Sequence, residues 1–259
     1  MKFGRKEAVA VRDSHGHSMF ENKRVVITGG SDGIGFSCAE YFLKNGAAVL
    51  ITGRNRDKLD SAAERLGSER LFTLVWDVTD FENLAGRVNE CVSILGGIDI
   101  FVNNAGLARK IDFMGDIFGV TFEDWDIVMD TNLKSMYFIC REVVSYMKNA
   151  GIKGSIVNIG SEQGFRPGGY TPYQISKRGV DYLTKGFGKQ FIKDGIRVNS
   201  VAPGAVNTSL QKDSGILSPV AIANVVGFLA SDAAFAISGE TVIADRCEHL
   251  GISWFNEKN

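Results

Sequence analysis

From Lys23 onward, short β-rich runs alternate with runs of helical periodicity, and this alternation restricts the chain to one kind of architecture. The strand-like runs are Val25–Thr28, Val49–Thr52, Leu71–Trp76, Ile98–Val102, Ser155–Ile159, Ile196–Val201 and Glu240–Ala244. Between them lie the helix-like runs Ile34–Lys44, Arg56–Leu66, Glu82–Leu95, Phe122–Lys148, Tyr173–Ile192 and Pro219–Ala230. Strands joined through helices pair in parallel, because the crossover returns the chain to the same edge of the sheet. The strand runs are nearly all apolar, as strands are when helices cover both faces. The expectation is an α/β fold: one doubly wound parallel sheet of about seven strands in a single domain, residues 21–259, after an irregular leader, residues 1–20.

Composition removes several classes of function. A net charge of -1 gives no basic surface for nucleic acid or for an anionic membrane. No apolar run is long enough to cross a bilayer, and the leader lacks the apolar segment of a secretory signal. Cys38, Cys91, Cys140 and Cys247 have no paired spacing and read as reduced thiols, three of them on helix faces, so a cytoplasmic location is expected. His15, His17 and His249 form no metal-ligand set, and no metal is expected.

Two local patterns carry chemistry. The first strand runs into Thr28-Gly29-Gly30-Ser31-Asp32-Gly33-Ile34-Gly35 and then into a helix. Glycines in such a turn let the backbone approach a ligand, and the new helix offers N–H groups and a positive dipole end to a pyrophosphate. This is the strand–turn–helix context of a Rossmann-type dinucleotide site. The second pattern is Tyr173 and Lys177, four apart and so on one helix face. A fixed cation favours the phenolate over the phenol, which makes the pair a proton donor and acceptor near neutral pH.

The glycine turn resembles the Thr-Gly-x-x-x-Gly-x-Gly fingerprint of the short-chain dehydrogenase/reductase superfamily, in its shorter single-domain branch. Further matches follow in order over about residues 22–245: Asp77-Val78, Asn103-Asn104-Ala105-Gly106, Asn132, Ser161, Tyr173-x-x-x-Lys177, Pro203-Gly204 and Thr208. The resemblance implies an NAD(P)(H)-dependent oxidoreductase that interconverts an alcohol and a carbonyl by hydride transfer. It implies a catalytic tetrad of Asn132, Ser161, Tyr173 and Lys177. Tyr173 would be the general acid and base, and Ser161 would hold the carbonyl. Lys177 would bind the nicotinamide ribose, and Asn132 would keep a helix kinked and hold a water. The implied cofactor contacts are Gly29, Ser31, Asp32, Gly33, Ile34, Gly35, Arg54, Asp77, Val78, Asn104, Ala105, Gly106, Tyr173, Lys177, Pro203, Gly204, Val206 and Thr208. Asn103 is expected to tie strands together, and Asp77 also suits a local cap.

Cofactor choice turns on the second strand. An acid at its end would bond the ribose 2′-OH and repel a 2′-phosphate. Here Arg54 follows Thr52-Gly53, which favours NADP(H), with NAD(H) as the alternative. Asp32 weighs the other way, because some NADP-dependent relatives carry a basic residue there. The substrate is expected to be small and polar, a hydroxy or keto acid or a sugar derivative, with Arg109, Lys110, Gln163 and Arg166 near the mouth. The family implies a homo-oligomer, a dimer or tetramer, packed through the helices Phe122–Lys148 and Tyr173–Ile192. A non-catalytic dinucleotide-binding protein on the same fold is the alternative function, and a nucleotide-sugar epimerase is disfavoured by the glycine spacing. Two departures stand out: a short segment between Thr208 and Pro219, and Asp245-Arg246-Cys247 where relatives show Asp-Gly-Gly.

Overall fold

The structure is a computed structural model, and it describes residues 18–108, 117–166, 171–208 and 217–251. Seven strands form one parallel sheet in the order β3-β2-β1-β4-β5-β6-β7. They are β1 (Arg24–Thr28), β2 (Ala48–Gly53), β3 (Leu71–Val75), β4 (Ile100–Asn103), β5 (Ser155–Ile159), β6 (Arg197–Pro203) and β7 (Thr241–Ala244). The helices are α1 (Gly33–Lys44), α2 (Arg56–Leu66), α3 (Leu84–Leu95), α4 (Phe122–Met129), α5 (Ser135–Asn149), α6 (Pro172–Phe191) and α7 (Pro219–Ala230). Strand order reverses between β1 and β4, which opens a crevice at the carboxyl edge of the sheet.

Alternate residues of each strand face opposite layers. Val25 and Ile27 of β1 and Val49 and Ile51 of β2 enter one core with α1, α2 and α7. Val26, Leu50, Phe101 and Ile156 enter the other, with α3, α5 and α6. Both sheet faces are therefore dry, which is why these strands read as unbroken apolar runs. Phe20, assigned to the leader by its polar surroundings, is 1% exposed and stacks edge-on to Phe42 at 4.8 Å. Its N–H also bonds Asn45 O at 2.9 Å, so the packed unit reaches back at least to Phe20.

Caps set several helix boundaries. Asn55 accepts from Lys58 N and opens α2, and Gly67 closes it in the left-handed conformation. Thr171 and Gln174 form a capping box at the start of α6, with Pro172 in its first turn. The helix expected from Glu82 begins instead as a 3-10 turn, Phe81–Asn83, and becomes α-helical at Leu84. The single run expected over Phe122–Lys148 is two helices joined by a π-helical turn, Asp130–Lys134. Among the described residues no helix is long and apolar enough to cross a membrane. Cys38, Cys91 and Cys140 are buried free thiols, pushed up to about 12 chiefly by burial, and Cys247 is an exposed one.

The unusual turn after β7 has a backbone consequence. Arg246 and Cys247 have φ of 56° and 69°, the region where a Cβ crowds the backbone. Asp245 steadies the turn: its Oδ1 accepts from Cys247 N, and its Oδ2 accepts from His249 N. Cys247→Gly is expected to relieve strain at one position and raise stability by about 0.5–1 kcal/mol. A thermal melt of the variant beside the parent chain measures the gain directly.

Candidate active site

The site is assembled at the crevice between β1 and β4. Gly29, at the end of β1, has a φ of 66°, which turns the chain toward α1. A Cβ on Gly35 would collide with Gly29 O and lie 2.6 Å from Asn104 Nδ2, so α1 begins as close to β1 as a backbone allows. Across the crevice, Thr28 Oγ1 accepts from both Asn104 N and Ala105 N at 3.0 Å. Asn104 Nδ2 returns two bonds, to Thr28 O at 2.9 Å and Gly29 O at 3.0 Å. Asn104 thus does the strand tying expected of Asn103. Asn103 Nδ2 instead reaches Met136 O at 3.2 Å and Cys140 Sγ, fastening β4 to α5, because alternation points it at the helix layer.

The remaining dinucleotide positions lie around this knot. Asp32 is the N-cap of α1, and its carboxylate takes the Gly33 N–H at 2.7 Å, while Ile34 and Gly35 follow in the first turn. A Cβ on Gly33 would stand 3.1 Å from Thr208 Cγ2, so the segment after β6 meets the glycine turn. At Gly53 a Cβ would stand 3.7 Å from Ser31 Oγ, which places exposed Arg54 next to the same turn. Asp77 Oδ1 accepts from Thr79 N and Thr79 Oγ1, a local cap, beside buried Val78. Pro203 ends β6, Gly204 N bonds Ala244 O, and Val206 pairs in a parallel bridge with Leu217.

The four tetrad residues come from three places. Asn132 sits in the π-helical turn, fully buried, and grips Leu107 twice: Oδ1 accepts from its N–H and Nδ2 donates to its C=O, both at 2.8 Å. Asn132 Nδ2 also lies 3.4 Å from Ser176 Oγ on α6. Ser161 follows β5 and caps a 3-10 turn, its Oγ accepting from Gln163 N at 3.2 Å. That use of a lone pair leaves the hydroxyl hydrogen to be donated elsewhere. Tyr173 and Lys177 stand on α6, with Lys177 Nζ 5.7 Å from the centre of the Tyr173 ring. A Cβ on Gly164 would lie 2.8 Å from Arg178 N, so the Ser161 loop is pressed onto α6 at the Lys177 turn.

Lys177 is 5% exposed and donates to Ile159 O at 3.0 Å. An ammonium has three donors, so this buried one retains capacity for a ligand's hydroxyl oxygens. A Cβ on Gly106 would lie 3.5 Å from Lys177 Nζ and 3.3 Å from Asn132 Oδ1, so the chain after β4 runs close against both side chains. Together with the glycine cradle at α1, these features fit a dinucleotide lying across the crevice.

A scan for families matches the short chain dehydrogenase model over residues 23–216. The chain belongs to the short-chain dehydrogenase family. A 3-oxoacyl-(acyl-carrier-protein) reductase FabG from Chlamydia muridarum is 35% identical over 249 residues, 88% of this chain and 98% of the relative. A gluconate 5-dehydrogenase from Gluconobacter oxydans is 37% identical over 191 residues, 72% of each chain. A solved short chain dehydrogenase from Mycobacterium smegmatis superposes with a TM-score of 0.79 at 29% identity, covering 91% of this chain and 97% of the other.

The substrate-facing positions divide. Arg109 and Lys110 lie outside the described residues. Gln163 accepts from Gln174 Nε2 at 3.4 Å and donates to Glu162 Oε1 at 2.6 Å, joining the Ser161 loop to the cap of α6. Arg166 Nε pairs with Glu162 Oε2, and its Nη2 lies 3.5 Å from Glu248 Oε2. Sequence reading did not find Thr28, Ser176, Glu162 or Glu248 as supports. Only Thr28 had a signal, its place in the glycine turn.

Burial pushes the Lys177 ammonium from its ordinary 10.5 down to about 8. Between those values the unfolded chain binds more protons than the folded one, so this group's contribution makes the protein more stable as pH rises. Lys177→Met lacks that contribution. Melts of both proteins at pH 7 and pH 9.5 are expected to differ by about 2 kcal/mol in their pH response, the wild type gaining more.

Proposed function

We propose that this member of the family is a reversible carbonyl reductase and alcohol dehydrogenase, using Tyr173 as acid and base with Ser161, Lys177 and Asn132. The observation that supports it most is the buried Lys177 ammonium. It stands beside the Tyr173 ring, has donors to spare, and lies against Gly106. The dinucleotide supplies or accepts the hydride. Tyr173 gives its phenolic proton to the substrate oxygen in reduction and takes it back in oxidation. Ser161 donates a hydrogen bond to that same oxygen, where negative charge grows. Lys177 binds ribose hydroxyls and, as a cation close to Tyr173, favours its phenolate. Asn132 fixes the chain at Leu107, next to Gly106 and Lys177.

NADP(H) is the proposed cofactor, from Arg54 at the end of β2, where no acid opposes a 2′-phosphate. Asp32 is engaged as a cap through Gly33 N, a structural use for the acid that the glycine turn carries. The proposed substrate is a small polar alcohol or carbonyl. Of the cations that favoured an acid, Arg166 is paired with carboxylates, which moves the reading toward an uncharged, hydroxyl-rich molecule. The alternative of a dinucleotide-binding protein without catalysis is not favoured, since the similar chains are named as reductases and dehydrogenases.

Fluorescence titration with NADPH and NADH tests the cofactor. Tighter NADPH binding that Arg54→Ala removes is the expected result, and tighter NADH binding would sink the assignment. Tyr173→Phe is expected to lower kcat for a carbonyl substrate by about a hundred- to ten-thousand-fold with cofactor binding intact. We also propose a homo-oligomer through the outer faces of α4 to α6, where Phe122, Tyr137 and Tyr182 are 92%, 46% and 81% exposed. Light scattering at micromolar protein would return a multiple of 28.2 kDa, and a monomeric mass would refute it.

A further inference from the structure

The turn after β7 and the loop after β5 are far apart in sequence, yet one ion-pair cluster joins them. Glu248, in the 3-10 turn Glu248–Leu250, and Glu162, next to Ser161, are both buried. Arg166 bridges them from a side chain that is one-third exposed, pairing Nε with Glu162 and placing Nη2 3.5 Å from Glu248. Glu248 is itself wedged against the turn after β6. A Cβ on Gly204 would lie 3.0 Å from Glu248 Oε2 and 2.7 Å from Asp245 Cβ. Asp245 anchors that turn further by accepting from Cys247 N and His249 N and by pairing with His249 Nδ1 at 2.7 Å.

On the other side, Glu162 Oε1 accepts from Gln163 Nε2, and Gln163 N is the donor to Ser161 Oγ. The path from Glu248 to the Ser161 hydroxyl therefore passes through Arg166, Glu162 and Gln163, by ion pairs at Arg166 and by hydrogen bonds at Gln163. Two buried carboxylates flank a single guanidinium, so its charge is already compensated.

We propose that Arg166 is a positioning residue: it clasps Glu162 and Glu248, fastens the turn after β7 to the Ser161 loop, and holds the Ser161 hydroxyl where the substrate oxygen must lie. It does not anchor a substrate anion. This rests on the proposed function in that Ser161 is the group being held. The clasp also gives the departure at Asp245-Arg246-Cys247 a purpose, since that turn carries Glu248 to the active-site edge.

The test uses the full chain with Glu248→Gln, Arg166→Lys and Arg166→Met. Hydrogen exchange, followed by mass spectrometry, is expected to quicken about fivefold or more at residues 161–166 in Glu248→Gln. In Arg166→Met it should quicken at residues 245–251 as well, and Arg166→Lys should retain most of the protection. With a neutral vicinal diketone, Glu248→Gln is expected to lower kcat about tenfold, leaving KM and dinucleotide affinity near wild type.

Unchanged exchange at residues 161–166 in Glu248→Gln would overturn the clasp. So would an Arg166→Met variant whose KM rises for a 2-keto acid and stays fixed for the diketone. Faster exchange with an unchanged kcat would reduce Arg166 to a purely structural tie and also overturn the proposal. If wild type binds no dinucleotide, the functional reading fails, while the exchange result still decides whether the clasp exists.

Discussion

A charged amine held out of water is the constraint around which this site is built. Lys177 is buried and donates to Ile159 O. Burying an ammonium is costly, and its pKa falls in consequence. Its surroundings approach closely: a Cβ on Gly106 would lie 3.5 Å from Lys177 Nζ, and Asn132 holds the Leu107 backbone by two bonds of 2.8 Å. Asn132 reaches that position only because the helix after β4 loosens into a π turn at Asp130–Lys134.

A second constraint is the closeness of backbones at the strand-order reversal. Thr28 Oγ1 takes two backbone N–H groups, and Asn104 returns two bonds to β1. Gly35 admits α1 to the same point. Main chain of β1, β4 and α1 thus meets closely at the crevice, and the parallel sheet holds β1, β4 and β5 in register there.

Much of this was legible in advance. Arg56–Leu66, Ser155–Ile159 and Pro219–Ala230 have the same boundaries in the sequence reading and in the fold, because caps, prolines and glycines mark their ends. Other elements moved. The helix at Glu82 starts later, since Phe81–Asn83 winds as a 3-10 turn, and the run over Phe122–Lys148 hides a π turn that no local pattern announces. The tying role expected of Asn103 passed to Asn104, because side-chain alternation at the strand end decides which amide faces β1.

Local sequence is enough for the order of strands and helices, the glycine turn and the spacing of Tyr173 to Lys177. Those features rest on periodicity and backbone permission, which act over a few residues. Tertiary structure alone decided what the charged groups do. Arg166 read as a cation near the substrate mouth, yet its second carboxylate partner is 82 positions away. Lys177 read as a neighbour of Tyr173, yet it is the sheet's edge that strips it of water. Ion pairing and desolvation depend on distance in space, and a linear sequence leaves no local mark of them.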